Sequence, residues 1–321
     1  MTQTIDGVLG ETVNYQYDYL HRLTAATATN SAWGEAYSYD GFGNLTAKTP
    51  TVGSAPTFAG STGSNVQNGS LPGQWDVENR PMTQGSTFYV YDPWGRRIWK
   101  QGTGQNGANE CEAYFYGAMG QKLESYSCEY APGTTLVSTT LQGINTYFGG
   151  KMLSEKGVFV ATDRLGSVRA TSNGESLSYF PWGEERGTGT ADGRTKFAGY
   201  FRDMPGQDYA MARYYSATTG TFWSPDSTSN NWDSSNPGSW NLYAYTNGDP
   251  INLTDPDGTD CSSSLLASFP GIPTGSTIGG FLSQNSDLPI YAETIFTEAR
   301  IGSDQNAANE KAAIAAVISN R

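Results

Sequence analysis

The sequence predicts a mostly β fold built from stacked hairpins. Three observations point there. Aromatic residues make up 13% of the 321 residues and charged residues only 16%, with 39 glycines and 15 prolines, a balance that favours strands joined by frequent turns. Long helix-forming stretches are too few for a bundle. A short Tyr-rich unit also recurs along the chain.

The first copy is Tyr15-Gln16-Tyr17-Asp18-Tyr19-Leu20-His21-Arg22-Leu23. Tyr37-Ser38-Tyr39-Asp40-Gly41-Phe42-Gly43-Asn44-Leu45 repeats it, and Tyr89-Val90-Tyr91-Asp92-Pro93-Trp94-Gly95-Arg96-Arg97-Ile98 follows. Tyr114-Phe115-Tyr116-Gly117 opens a fourth copy, with glycine at the aspartate position. A degenerate Gly/Ser/Pro/Asn stretch over 51–74 separates the second copy from the third. Tyr-x-Tyr alternates at period two, which makes a strand with one aromatic face. Asp-x-x-Gly is turn chemistry, because the carboxylate bonds nearby amides and glycine takes positive φ. Each unit therefore reads as one hairpin, with turns at Asp18, Asp40, Asp92 and Gly117, and the hairpins are expected to stack into a long sheet. A turn centred between Met119 and Gly120 places Cys111 opposite Cys128 on neighbouring strands.

These units resemble the YD repeats of bacterial Rhs proteins, insecticidal-toxin C components and animal teneurins. The stretch that follows strengthens the resemblance. Asp163-Arg164-Leu165-Gly166-Ser167-Val168-Arg169 leads through Tyr179-Phe180-Pro181-Trp182-Gly183, Phe197-Ala198-Gly199-Tyr200-Phe201-Arg202-Asp203 and Ala212-Arg213-Tyr214-Tyr215. Gly220-Thr221-Phe222-Trp223-Ser224-Pro225-Asp226, Asn241-Leu242-Tyr243-Ala244-Tyr245 and Asp255-Pro256-Asp257-Gly258 close it. That order is similar to the Rhs-repeat-associated core. The expected organisation is a YD-repeat region over 1–159, the core over 160–258, a linker over 259–289 and a helical segment over 290–321. The last two rest on composition: Ser/Gly/Pro/Leu-rich text gives way to alanine-rich text with apolar residues three and four apart.

The resemblance implies a shell that holds and releases a variable C-terminal effector. In the family, two Asp-Pro-x-Gly boxes form a self-cleaving site like that of an aspartic peptidase. Asp226 and Asp255 match the two boxes, and the implied cut lies between Thr259 and Asp260. Two close carboxylates can share a proton, so that one activates water and the other polarises a carbonyl. This chain departs from the pattern: Asp226 is followed by Ser227-Thr228-Ser229, and Thr259 stands where the family usually has Leu. The competing reading is that both aspartates only cap turns. Arg213 is read as a strand arginine packed over tyrosine faces, the alternative being an arginine that holds the two carboxylates ionised. The segment carrying Trp240, Leu242, Tyr243 and Tyr245 is expected to bury one strand face and return the chain to the sheet.

Glu298, in Phe296-Thr297-Glu298-Ala299-Arg300, is similar to the catalytic acid of spore-cortex-lytic cell-wall hydrolases. Two helices cannot build a sugar cleft, so no assembled hydrolase site is expected in this chain.

The remaining classes are expected absences. A net charge of -12 with only 19 scattered Lys and Arg argues against nucleic-acid binding. No stretch has the apolar length of a membrane span, and no ordinary signal peptide is visible. Three cysteines and one histidine give no zinc pattern, the Asp255–Asp260 stretch lacks the spacing of an EF-type calcium loop, and no cofactor is expected. The implied partners are the chain's own C-terminal effector segment, copies of itself, or a secretion apparatus. The expected place is outside the cell or on its surface. A second function class stays open: a non-enzymatic structural or adhesive module whose strand edges self-associate.

Overall fold

A computed structural model describes residues 1–7, 9–60, 73–103, 109–117, 120–131, 135–148, 150–187, 189–226 and 237–259. All of them belong to one compact unit, Met1–Pro270. The expected linker, the helical segment, Cys261 and Glu298 lie outside the described residues.

The strands of the described residues are antiparallel, in four sheets whose strands follow sequence order. The first holds β1 (Gln3–Asp6), β2 (Glu11–Tyr17), β3 (Leu23–Ala28), β4 (Trp33–Tyr39), β5 (Leu45–Gly53) and β6 (Phe58–Ala59). The second runs from β7 (Thr83–Gln84) and β8 (Thr87–Tyr91) through β9 (Arg97–Thr103), β10 (Asn109–Tyr116), β11 (Lys122–Ala131) and β12 (Thr135–Ile144). The third is β13 (Thr146–Phe148), β14 (Lys151–Glu155), β15 (Val158–Thr162) and β16 (Val168–Thr171). The fourth is β17 (Arg194–Thr195), β18 (Phe201–Met204), β19 (Gln207–Ala210), β20 (Arg213–Ser216) and β21 (Thr221–Phe222). The hairpins thus stack as expected, but they break into separate sheets where one long sheet was expected. Cys111 pairs with Cys128 across β10 and β11, with Cα atoms 5.0 Å apart and a disulfide between them.

The turn aspartates explain why each hairpin closes where it does. Asp18 Oδ1 accepts the amides of Leu20 and Arg22 at 2.9 Å, while Oδ2 takes the Arg22 guanidinium at 2.7 Å. Asp40 and Asp92 repeat the arrangement on Phe42 and Asn44, and on Trp94 and Arg96. Asp76 does the same on Glu78 and Arg80, and Asp163 accepts the amides of Leu165 and Ser167 with one oxygen. In each loop the fourth residue takes positive φ: Gly43, Gly95 and Gly166 do so without strain, whereas His21 and Asn79 pay for it. The Gly117 loop keeps the same two backbone bonds without a carboxylate.

A second regularity joins each hairpin to the one before. The tyrosine hydroxyl at the end of one strand donates to the carbonyl five residues after the preceding loop's first residue. Tyr39 reaches Leu23 at 2.7 Å, Tyr91 reaches Pro81 at 2.8 Å and Tyr116 reaches Arg97 at 2.7 Å. Tyr147 to Lys122 and Tyr179 to Val168, both at 3.0 Å, continue the series. The loop arginines cover these rings: Arg22 lies 4.5 Å from the Tyr39 centroid and Arg80 4.9 Å from that of Tyr91.

The fourth sheet contributes to two hydrophobic clusters. Tyr215 joins Leu23, Trp33, Tyr37 and Leu45 of the first sheet, together with Trp182, Phe197, Phe222 and Tyr245. Its neighbour Tyr214 points the other way, into a cluster with Tyr89, Tyr209, Phe201 and Trp223, stacked on Trp223 at 5.0 Å. Adjacent residues on opposite faces of one strand thus serve both cores. Within 237–259 the chain forms short 3-10 turns, and Trp240 is exposed there, contrary to the expectation that it helps bury a strand face.

Candidate functional site

The two boxed aspartates meet at β20. Residues 237–259 run back beside β21: the Phe222 amide donates to Tyr243 O and the Asp226 amide to Leu242 O, both at 2.9 Å. This fixes Asp226 just past the end of β21. Asp255 sits in a turn held against β20, where the Ala212 amide donates to Asp257 O at 2.9 Å. Gly258 takes φ of 79° there, and a Cβ at that position would come within 2.7 Å of Ala210 O, so only glycine fits without displacing the strand.

Arg213 joins the parts. One of its terminal nitrogens lies 3.2 Å from Asp255 Oδ2 and 3.5 Å from Asp226 Oδ2. Its other terminal nitrogen donates to Leu242 O at 3.0 Å, and its Nε donates to Gly258 O. The guanidinium lies 3.6 Å from the Phe222 ring centroid. The expectation of a strand arginine packed over tyrosines is therefore corrected: the aromatic surface is Phe222, and the charge engages both carboxylates. The reason is topological, since β20 runs between the two returning segments.

Asp255 is 3% exposed. Its Oδ1 accepts the amides of Gly258 and Thr259 at 2.9 and 3.0 Å, so it caps its own turn with one oxygen and faces Arg213 with the other. The Tyr200 hydroxyl, pushed well up by burial, donates to the Asp255 backbone carbonyl. Asp257 accepts the Thr259 hydroxyl at 2.8 Å. The arrangement thus holds two carboxylates, a guanidinium bound to the carbonyl of Gly258, and a chain rigidly fixed up to Thr259. Asp260 and Glu298 lie outside the described residues.

Among the described residues no cluster of His, Cys, Asp and Glu could hold a metal ion. Asp255 and Asp257 of the Asp255–Asp260 stretch are engaged with Arg213, the turn amides and Thr259.

Sequence reasoning missed two charged sites buried between sheets. Arg97, 1% exposed, pairs with Asp203 and also meets the Tyr114 and Tyr214 hydroxyls. Lys48 is sealed against Glu184 beside the buried Glu35. Lys48 stands opposite Tyr37 because the register slips by one residue between the Tyr39–Leu45 and Ser38–Ala47 pairs; strict alternation from the buried Leu45 would turn it outward, and its partner is remote in sequence.

No family model matches the chain. It is 28% identical over 284 residues to the tRNA3(Ser)-specific nuclease WapA of Bacillus spizizenii, a match covering 75% of this chain. It is likewise 28% identical over 283 residues to the tRNA nuclease WapA of Bacillus subtilis. The chain spans 12% of the length of these curated relatives. Among solved structures, the crystal structure of TcdB2-TccC3 matches with a TM-score of 0.54 and 18% identity, over 77% of this chain and 16% of that one. TcdB2-TccC3 without its hypervariable C-terminal region matches with a TM-score of 0.53 and 17% identity, over 77% of this chain and 15% of that one.

Proposed function

We propose that this Rhs-like chain is the shell and self-processing part of a secreted or surface toxin, cut between Thr259 and Asp260 by an aspartic-type site. The observation that carries the reading is the convergence of Asp226 and Asp255, 29 positions apart, on one guanidinium. An aspartic-type site needs two close carboxyl groups, one ionised and one carrying a proton. The ionised member then takes a proton from water as it attacks the carbonyl, and the protonated member stabilises the developing oxyanion. Arg213 keeps the pair together and fixes the Gly258 carbonyl, one peptide before the implied cut.

The relatives named as tRNA nucleases support a toxin context. They do not favour a cell-wall hydrolase, whose resemblance lies at Glu298, so the released segment is proposed only as a variable effector. Its partners would be the shell itself and an export machine.

The test is the mass of the purified 321-residue protein over time. The expected result is a new fragment beginning at Asp260, abolished by Asp226→Asn and by Asp255→Asn while circular dichroism keeps its β signature. A chain that stays whole, or a cut indifferent to both variants, rules the site out as a peptidase.

One feature favours a second reading, a structural module that self-associates. The outer face of the second sheet carries Phe88, Val90, Phe115 and Leu141, each at least 37% exposed. Concentration-dependent oligomers of an uncleaved chain would favour that reading.

A further inference from the structure

Between the first sheet and the loop after Phe180 lies a sealed charge cluster. Glu35 on β4 is fully buried, flanked by Ala26 of β3 and Pro50 of β5 in the sheet register. Tyr37, on the same face of β4, donates its hydroxyl to Glu35 Oε2 at 2.7 Å. Directly across from Tyr37 on β5 stands Lys48, whose side chain has no exposed surface. Its ammonium donates to Glu184 and, at 2.6 Å, to Ala217 O, with the Trp182 ring 5.9 Å away. Arg202, occupied by a two-pronged pair with Asp208, Tyr39 and Tyr215 are the other ionisable neighbours that act on this cluster.

Glu35 and Lys48 sit here out of water, and the Glu184 side chain is 13% exposed. With both acids ionised the cluster would hold a net negative charge in a low-dielectric interior, which is strongly unfavourable. One proton balances it. Each acid keeps one oxygen, Glu35 Oε1 and Glu184 Oε2, buried with no hydrogen-bond partner among the described residues, but only Glu184 has the direct ion pair with Lys48, so the proton belongs on Glu35.

We propose that Glu35, Lys48 and Glu184 form a proton-operated clasp between the first hairpin sheet and the 180–184 loop, closed while Glu35 is protonated and weakened when it ionises. Burial pushes the Glu35 carboxyl up to about 7, with the charge of Glu184 adding to the effect and Tyr37 and Lys48 opposing it. Below the ordinary value of 4.5, folded and unfolded chains both hold the proton. Between that value and about 7 the unfolded chain releases it while the folded chain keeps it, so stability falls as pH rises through this window and stays lost above it. The clasp therefore holds in mild acid and loosens at neutral to alkaline pH. Through the Ala217 carbonyl, one residue past β20, Lys48 also ties the cluster to the end of the Arg213 strand.

The experiment compares urea unfolding of the whole 321-residue protein with that of Glu35→Gln. Gln keeps the shape and the bond from Tyr37 but cannot ionise. From about pH 5 to about pH 8.5 the wild-type unfolding constant should rise roughly fiftyfold or more beyond any rise in the variant. Equal pH dependence in the two proteins overturns the proposal. If Glu35→Gln does not fold, carbon-13 NMR of wild-type protein labelled at the glutamate side-chain carboxyl decides instead. One glutamate titrating near neutrality supports the clasp, and every glutamate ionising in its ordinary range overturns it.

Discussion

Arg97 shows how a single residue can tie two sheets together. Its guanidinium meets Asp203 of β18, and Lys100 reaches the same carboxylate at 2.9 Å. Burial alone would raise Asp203, but Arg97 foremost and Lys100 next hold it down to about 2, from an ordinary 3.8. A depressed carboxylate contributes stability that is present above 3.8 and is lost as pH falls through about 2. Arg97→Met should cost up to about 3 kcal/mol at neutral pH, because it leaves the buried Asp203 with Lys100 as its one remaining cation. The loss should shrink in strong acid, where Asp203 takes up a proton, and urea midpoints at both pH values would show it. His21 makes a smaller, opposite case: it is exposed, and it sits at φ of 63° where three other loops use glycine. His21→Gly should raise stability by about 0.5–1 kcal/mol in the same assay. None of the remote partners was legible in the sequence. Arg97 and Asp203 are 106 positions apart, and nothing in local spacing selects one aspartate over another.

At the scale of elements, legibility follows the range of the forces. The loops at Asp18, Asp40 and Asp92 could be read because their bonds close within five residues. Asp76 obeys the same rule, yet its Trp75-Asp76-Val77 opening has tryptophan where the pattern has its second tyrosine, so the Tyr-x-Tyr-Asp signature does not pick it out. The Cys111–Cys128 register was readable for the same local reason: one turn fixes every pair above it. That bond closes a loop of sequence separation 17. Replacing both cysteines with serine should lower stability by about 3 kcal/mol, with reduction of the wild type producing a similar loss in thermal unfolding. At the candidate site, the resemblance supplied Asp226 and Asp255, but the role of Arg213 needed the crossing of two returning segments over β20.

For the molecule as a whole, the tyrosine-to-carbonyl bonds have a consequence for how such a chain can change length. Five of these bonds index a strand to an earlier loop, from Tyr39 on Leu23 to Tyr179 on Val168. Gaining or losing one complete unit leaves every remaining junction with its proper counterpart, whereas a change of a few residues throws the following tyrosine off its carbonyl. The architecture therefore counts in whole hairpins, like a word that tolerates another syllable but not another letter.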